Sequence, residues 1–123
     1  MAGRRTRPLV TREPHGQVEV LSVHLAEIDQ ADTIEDLGRQ IRRSIEASDA
    51  SLFVLDLSGV RFLTSAAIGL LINLNERLAA RDLTFALAGL KGDVAGMIEN
   101  SHLDQLIPVY PSAKDAVDTL GRF

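Results

Sequence analysis

The hydrophobic positions of this chain change their period several times, as expected for strands that alternate with helices. Residues 52–57 form an apolar run interrupted only by Asp56, which predicts a strand covered on both faces. Other segments are short, bounded by turn residues and rich in β-formers. They predict four further strands, at residues 9–11, 18–25, 83–88 and 106–110.

The helical segments repeat at about 3.6 residues. Asp32 and Glu35 have the spacing of a capping box, so we expect the first helix to begin there. The apolar face of this first helix consists of Ile34, Leu37, Ile41 and Ile45. The next helix has an apolar stripe that consists of Ala67, Leu70, Leu71, Leu74 and Leu78. Shorter helices are predicted at residues 93–100 and after a capping Ser112. The chain is therefore predicted to be an α/β protein with a mixed sheet of about five strands flanked by about four helices.

Length and composition are those of one ordinary domain. The chain has 123 residues, of which 46% are hydrophobic, and no apolar run approaches the roughly 20 residues that span a bilayer. The basic N-terminus is not followed by the apolar segment of a secretory signal. We expect a flexible tail over residues 1–8, a single domain over residues 9–123, and a cytoplasmic location.

Most chemical classes of function are disfavoured by the residues present. The chain has no cysteine, which excludes thiolate catalysis and disulfides, and its net charge of −4 argues against nucleic-acid binding. His15, His24 and His102 lack metal-ligand spacing, and no glycine-rich nucleotide loop is present. Asp56 is expected to bond the backbone of the following 58–59 loop. We therefore expect no enzymatic activity, cofactor or metal.

Two adjacent hydroxyl residues stand where the second long helix must begin. Thr64 and Ser65 lie at the positive end of its dipole, where a hydroxyl can cap the helix or accept a phosphate. Ile68 and Ile72 lie on the flank of the apolar stripe. Two interpretations stay open for them: neighbouring helices cover both side chains, or they form a partner-docking patch beside the hydroxyls.

The sequence around these hydroxyls resembles the STAS domain family, in particular bacterial anti-sigma-factor antagonists. Members typically carry a strand ending in Leu-Asp-Leu, a glycine-containing loop, and Phe-x-Asp-Ser-Ser/Thr-Gly-Leu-Gly at a helix start. Residues 62–69 read FLTSAAIG, which places Ser65 on the family's phosphorylatable serine and matches its last glycine with Gly69. Thr64 replaces the family's aspartate, and Ala66 and Ala67 replace the hydroxyl residue and the other glycine.

The resemblance implies a non-enzymatic module that binds an anti-sigma factor with serine kinase activity. That kinase would phosphorylate Ser65, with Thr64 as the reserve acceptor, and a phosphatase would reset the module. The partner-binding residues expected from the resemblance and the helix flank are Thr64, Ile68, Gly69, Ile72, Glu27 and Asp29, the last two in an acidic segment before the first helix. The alternative is a non-phosphorylated scaffold subunit of a signalling assembly or a lipid-transport complex. A homodimer is also left open.

Overall fold

The computed structural model describes residues 8–121 of the chain. Its strands are β1 (Val10–His15), β2 (Val18–Val23), β3 (Glu27–Ile28), β4 (Leu52–Asp56), β5 (Phe62–Leu63), β6 (Thr84–Ala88) and β7 (Val109–Tyr110). Its helices are α1 (Ala31–Glu46), α2 (Ser65–Ala79), α3 (Gly92–Asn100) and α4 (Ala113–Leu120), with a short 3-10 turn at Leu103–Gln105. The predicted tail over residues 1–8 lies almost wholly outside the described residues, and the domain boundary at residue 9 stays a prediction.

The main sheet has five strands in the order β1-β2-β4-β6-β7. β1 pairs with β2 antiparallel, whereas the other three pairings are parallel. β4 is the middle strand, and its Leu55 is completely buried. The predicted mixed α/β architecture with five sheet strands and four helices is confirmed.

Alternate residues of the central strands enter two different cores, as the pleat of a strand requires. Phe53 and Leu55 belong to the larger core, which the strands form with α1, α2 and α3. Val54 faces the other way, into a smaller core of valines and alanines under α4. The start of α2 is packed against this larger core through its buried Ala67 and Ile68.

The predicted strand boundaries are wrong at both edges of the sheet. β1 continues beyond residue 11 to His15, and Pro14 pairs with Glu19, which an outer strand tolerates because one side of it makes no ladder bonds. The turn instead contains Gly16, whose φ is +65°. The last strand is only Val109–Tyr110, because the 3-10 turn occupies the chain just before it.

The capping box predicted for α1 is also wrong. The helix begins at Ala31, and the residue before it, Gln30, makes no side-chain capping bond. Asp32 lies instead within the first turn, where its charge favours the helix dipole without closing a cap.

Glu19 is a buried charge that sequence analysis did not single out. Its side chain accepts hydrogen bonds from Arg12 Nε, at 2.5 Å, and from Ser48 Oγ. Burial, the largest single influence, raises the pKa of Glu19, but the Arg12 and Ser48 hydrogen bonds and the Arg12 charge together bring it below the ordinary value. The carboxylate therefore stays charged and joins the first hairpin to the loop after α1.

Candidate functional site at the start of the second helix

A second, two-stranded sheet brings the acidic segment to the start of α2. β3 and β5 pair in parallel, with Glu27 opposite Phe62 and Ile28 opposite Leu63. The backbone bonds continue past the ladder, since Thr64 N donates to Ile28 O at 3.2 Å. Glu27 and Asp29 thus lie beside the hydroxyl turn. Strands of two residues have no detectable period, so this contact could not be predicted from the pattern of the sequence.

Thr64 is the residue that caps α2. Its backbone is extended, and its Oγ1 accepts a hydrogen bond from Ala67 N at 3.4 Å. The same hydroxyl donates to Ile28 O at 3.5 Å, a long bond that points it toward the acidic segment. The half-buried Thr64 side chain is therefore turned into the protein and is occupied in both hydrogen-bonding directions.

Ser65 is the first residue of α2 and is exposed. Within residues 8–121 its hydroxyl makes no hydrogen bond, so it is accessible and unengaged. The first turn of α2 holds no acidic residue, whereas α1, α3 and α4 carry Asp32, Asp93 and Asp115 there. The positive end of α2 is consequently left without a compensating carboxylate of its own first turn.

Of the two interpretations left open for Ile68 and Ile72, the structure favours the one in which neighbouring elements cover the side chains. Ile68 is only 7% exposed and belongs to the larger core, while Ile72 is half-buried against the same core. Leu70 lies on the side of α2 that faces α1, because a Cβ at Gly38 would be 2.9 Å from Leu70 Cδ1. Ile68 lies roughly 160° around the helix from Leu70. The helix is therefore covered on both flanks, and its buried face is wider than one stripe.

The exposed surface around Ser65 includes an aromatic residue that the sequence analysis had not placed in the site. Phe62 is 43% exposed, whereas its neighbour Leu63 is buried, as the alternation of a strand predicts. Gly69, one turn after Ser65, is exposed, and apart from its chain neighbours and the backbone of its own helix no described atom lies within 4 Å of the place a Cβ would occupy. We call the following residues the α2 entry surface: Glu27, Asp29, Phe62, Ser65, Ala66 and Gly69.

The other candidate groups have structural roles or remain scattered. Asp56 Oδ1 accepts a hydrogen bond from Ser58 N at 3.0 Å, which confirms the expected bond to the loop. Gly89, with φ +76°, packs so closely that a Cβ there would be 2.8 Å from Asp56 Oδ1. In the part of the chain that the structure describes, no group of three or more histidine, aspartate or glutamate residues is arranged to hold a metal ion. Nor does any helix there have the length and apolar character to cross a membrane.

Comparison with known proteins identifies the family. The STAS domain model matches residues 15–116. An anti-sigma factor antagonist from Mycobacterium paratuberculosis is 30% identical, with a TM-score of 0.77 over 89% of this chain and 91% of that one.

Two further structures have lower identity. An anti-sigma-factor antagonist (STAS) domain protein from Planctomyces limnophilus is 20% identical, with a TM-score of 0.78 over 89% of this chain and 95% of that one. The Bacillus cell fate determinant SpoIIAA, in its phosphorylated form, is 16% identical, with a TM-score of 0.66 over 90% and 98%. These two likenesses show the fold alone. The family match, which extends over most of the described elements, shows that the chain belongs to the STAS domain family.

Proposed function

We propose that this protein is a regulatory binding module of the anti-sigma-factor antagonist type, switched by phosphorylation of Ser65. Its partner would be an anti-sigma factor that is also a serine kinase, and a phosphatase would reverse the modification. The observation that carries the proposal is the exposed, unengaged hydroxyl of Ser65 at the first position of α2. The antagonist from Mycobacterium paratuberculosis and the phosphorylated form of SpoIIAA support it by likeness.

Phosphorylation at this position would change the surface without disturbing the fold. A phosphate adds about −1.5 to −2 charges at neutral pH. The free amides of the first helical turn and the helix dipole favour that charge. The first turn of α2 itself contains no carboxylate, so repulsion of the phosphate would come from the neighbouring Glu27 and Asp29 rather than from the helix. A docked partner would have to desolvate the same charge, so modification would weaken association while the domain stays folded.

Of the two hydroxyls, Ser65 is the better acceptor. Thr64 Oγ1 already accepts from Ala67 N and donates to Ile28 O, and its β-branched side chain has few rotamers. Ser65 Oγ bonds to no described group. The proton it would lose on phosphoryl transfer must therefore pass to a base that the kinase supplies.

The partner would contact the α2 entry surface. Phe62 offers an exposed aromatic side chain, and Gly69 allows a close approach one turn after Ser65. Glu27 and Asp29 add negative charge at the rim, which suits a partner with basic groups there. Ile68 and Ile72 would act indirectly, by holding α2 on the core.

The test is to incubate the protein with its cognate kinase and ATP and to map phosphate by mass spectrometry. We expect phosphate on Ser65, none after Ser65→Ala, and normal phosphorylation of a Ser58→Ala control, since Ser58 is another exposed serine in the described chain. A kinase that modifies neither Ser65 nor Thr64, while active on another STAS substrate, would contradict the switch.

The second candidate is a non-phosphorylated scaffold subunit of a signalling assembly or a lipid-transport complex. It is favoured by Thr64, Ala66 and Ala67, which stand where the family pattern has an aspartate, a hydroxyl residue and a glycine. Under this function, affinity purification would recover assembly or transport components, and Ser65→Ala and Ser65→Asp would bind them equally. Genes for a kinase and a sigma factor beside this one would favour the antagonist.

A further inference from the structure

Three arginines line one cleft between α1 and α2, far from the α2 entry surface. The cleft has a volume of about 160 Å³, and its charged lining residues are Arg42 of α1, Glu46, Arg77 of α2 and Arg81. Both helices connect parallel strands, so their C-terminal ends lie at the same end of the sheet. Arg77 is roughly 18 Å along the helix axis from Ser65, at about 1.5 Å per residue. We call this feature the arginine cleft.

The charge of the arginine cleft is not balanced within the protein. Among residues 8–121, no carboxylate lies within 4.0 Å of the Arg42, Arg77 or Arg81 guanidinium, and Arg77 Nε donates only to Asn73 Oδ1, at 3.0 Å. Outside the cleft, Arg12 pairs with Glu19 and Arg39 with Asp36, whereas Arg43 and Arg61 make no ion pair with a described carboxylate. The chain has 17 acidic and 13 basic residues, so carboxylates are in excess. The cleft is nevertheless lined by three arginines and by one carboxylate, that of Glu46.

The helix dipole explains only part of this arrangement. A basic residue in the last turn is favourable, and α2 has Arg77 there, but α3 and α4 have none. The dipole does not require Arg42 of α1, Arg77 in the last turn of α2 and Arg81 just beyond that helix to line one cavity. Beneath them, Ile45, Leu74 and Leu78 are at most 3% exposed, so these three side chains offer a ligand little surface. Recognition here would rest on charge and on the planar guanidinium fork, which binds pairs of oxygens.

We propose that the arginine cleft binds an oxyanion carried by a partner protein, either a side-chain carboxylate of an acidic segment or a phosphorylated side chain. The small volume admits one or two side chains and excludes a packed helix. Because the cleft lies at the other end of α2, this contact is independent of the state of Ser65. The domain would thus have a second attachment point that persists when the first is released.

Binding of labelled peptides tests the proposal on the full chain. The probes are a fluorescein-labelled hexaglutamate, a hexaglutamine of the same length, and a hexamer in which two glutamines are replaced by phosphoserine, all followed by fluorescence anisotropy at low salt. We expect the two anionic peptides to bind, the glutamine peptide not to bind, and added salt to weaken binding steeply. The anionic peptide that binds more tightly identifies the oxyanion.

Single variants locate the contact. Arg42→Gln, Arg77→Gln and Arg81→Gln should each weaken binding about two- to fivefold, and the triple variant about tenfold or more. Arg43→Gln is the matched control, since Arg43 is the next residue of α1 but lines a different cavity. It should change affinity by less than about twofold. Thermal unfolding verifies that every variant is folded, and Arg Nε–Hε signals in NMR report the contact directly.

Three results would overturn the inference. Equal losses for Arg42→Gln and Arg43→Gln would show attraction to overall charge, and equal binding of the glutamine peptide would show that charge is not recognised. Binding to vesicles of phosphatidylcholine and phosphatidylserine, lost in the triple variant and without any peptide binding, would assign the cleft to a membrane surface.

Discussion

The helices α2 and α4 begin with the same capping geometry, yet their first turns differ in charge. Ser112 Oγ accepts from Asp115 N at 3.1 Å, and Thr64 Oγ1 accepts from Ala67 N at 3.4 Å, each three residues along. The first turn of α4 contains Asp115, whereas that of α2 contains no acid. The start of α4 is therefore satisfied within the protein. The start of α2 is capped but retains its positive end for another anion.

The two neighbouring hydroxyls at the start of α2 have different roles. At α2 the capping bond is made by Thr64, so Ser65 is free to face outward. One residue position separates a group that holds the helix from a group that is available to an enzyme. A serine at a helix start is thus informative only after the capping residue has been identified.

The largest expected effect concerns Ile68, which is buried only three residues after the exposed Ser65. Ile68→Asp should destabilise the fold by at least about 3 kcal/mol, because it places an unpaired charge in the core. Ala66→Asp is the matched control: Ala66 is exposed in the first turn, where an acid is neutral or favourable. Urea unfolding followed by circular dichroism measures both. A stable Ile68→Asp variant would show that the side chain at position 68 is exposed to solvent.

The next effect tests whether the uncompensated start of α2 is the switch. Under the proposed function, Ser65→Asp should weaken binding of the proposed kinase partner about tenfold or more, equivalent to about 1.4 kcal/mol, and leave the fold intact. Asp115→Asn changes a charge at the corresponding turn of α4 and should leave affinity unchanged. Titration calorimetry with the purified partner gives both values. Equal partner affinities for Ser65→Asp and the unchanged protein would show that charge at Ser65 does not control binding.

Removing the caps should have smaller and similar effects at both helices. Thr64→Ala and Ser112→Ala should each cost about 1 kcal/mol of unfolding free energy, with the longer Thr64 bond giving the smaller loss. Ser65→Ala should cost less than about 0.5 kcal/mol, because this hydroxyl makes no bond that stabilises the helix. Denaturant titration ranks the three. The assignment of the cap to Thr64 fails if Ser65→Ala is the most destabilising.

The smallest effects compare glycines in the helices. Gly69→Ala and Gly96→Ala should each raise stability by about 0.5–1 kcal/mol, since each has open space where the Cβ would lie. Gly38→Ala should gain less or lose stability, because its Cβ would meet Leu70 Cδ1 at 2.9 Å. Melting temperatures establish this order. If the α2 entry surface binds the partner, Gly69→Ala will also weaken partner binding, whereas Gly96→Ala will not. Equal partner affinities of the two variants would show that Gly69 lies outside the interface.

Much of the fold was predictable because the period and length of the long elements carry strong signals. The central strand, the α1 face and the Ser112 cap depend on local patterns that the structure keeps. The boundaries of β1 and β7 failed where local rules were overridden: an outer strand accommodated Pro14, and a 3-10 turn shortened the last strand. The Asp32 cap failed because α1 begins at Ala31, two residues earlier than a cap at Asp32 requires.

By itself the sequence determined the α/β class, the family resemblance and the position of two hydroxyls at a helix start, since all of these depend on residues near one another in the chain. Tertiary structure decided which hydroxyl caps and which is exposed. It also buried Ile68, brought Glu27 beside Phe62 through the β3–β5 pair, and gathered Arg42 with Arg77 and Arg81. Each of these depends on how separate segments pack together. Local periodicity describes one face of one element, whereas exposure, pairing and charge balance depend on the neighbours that the whole fold supplies.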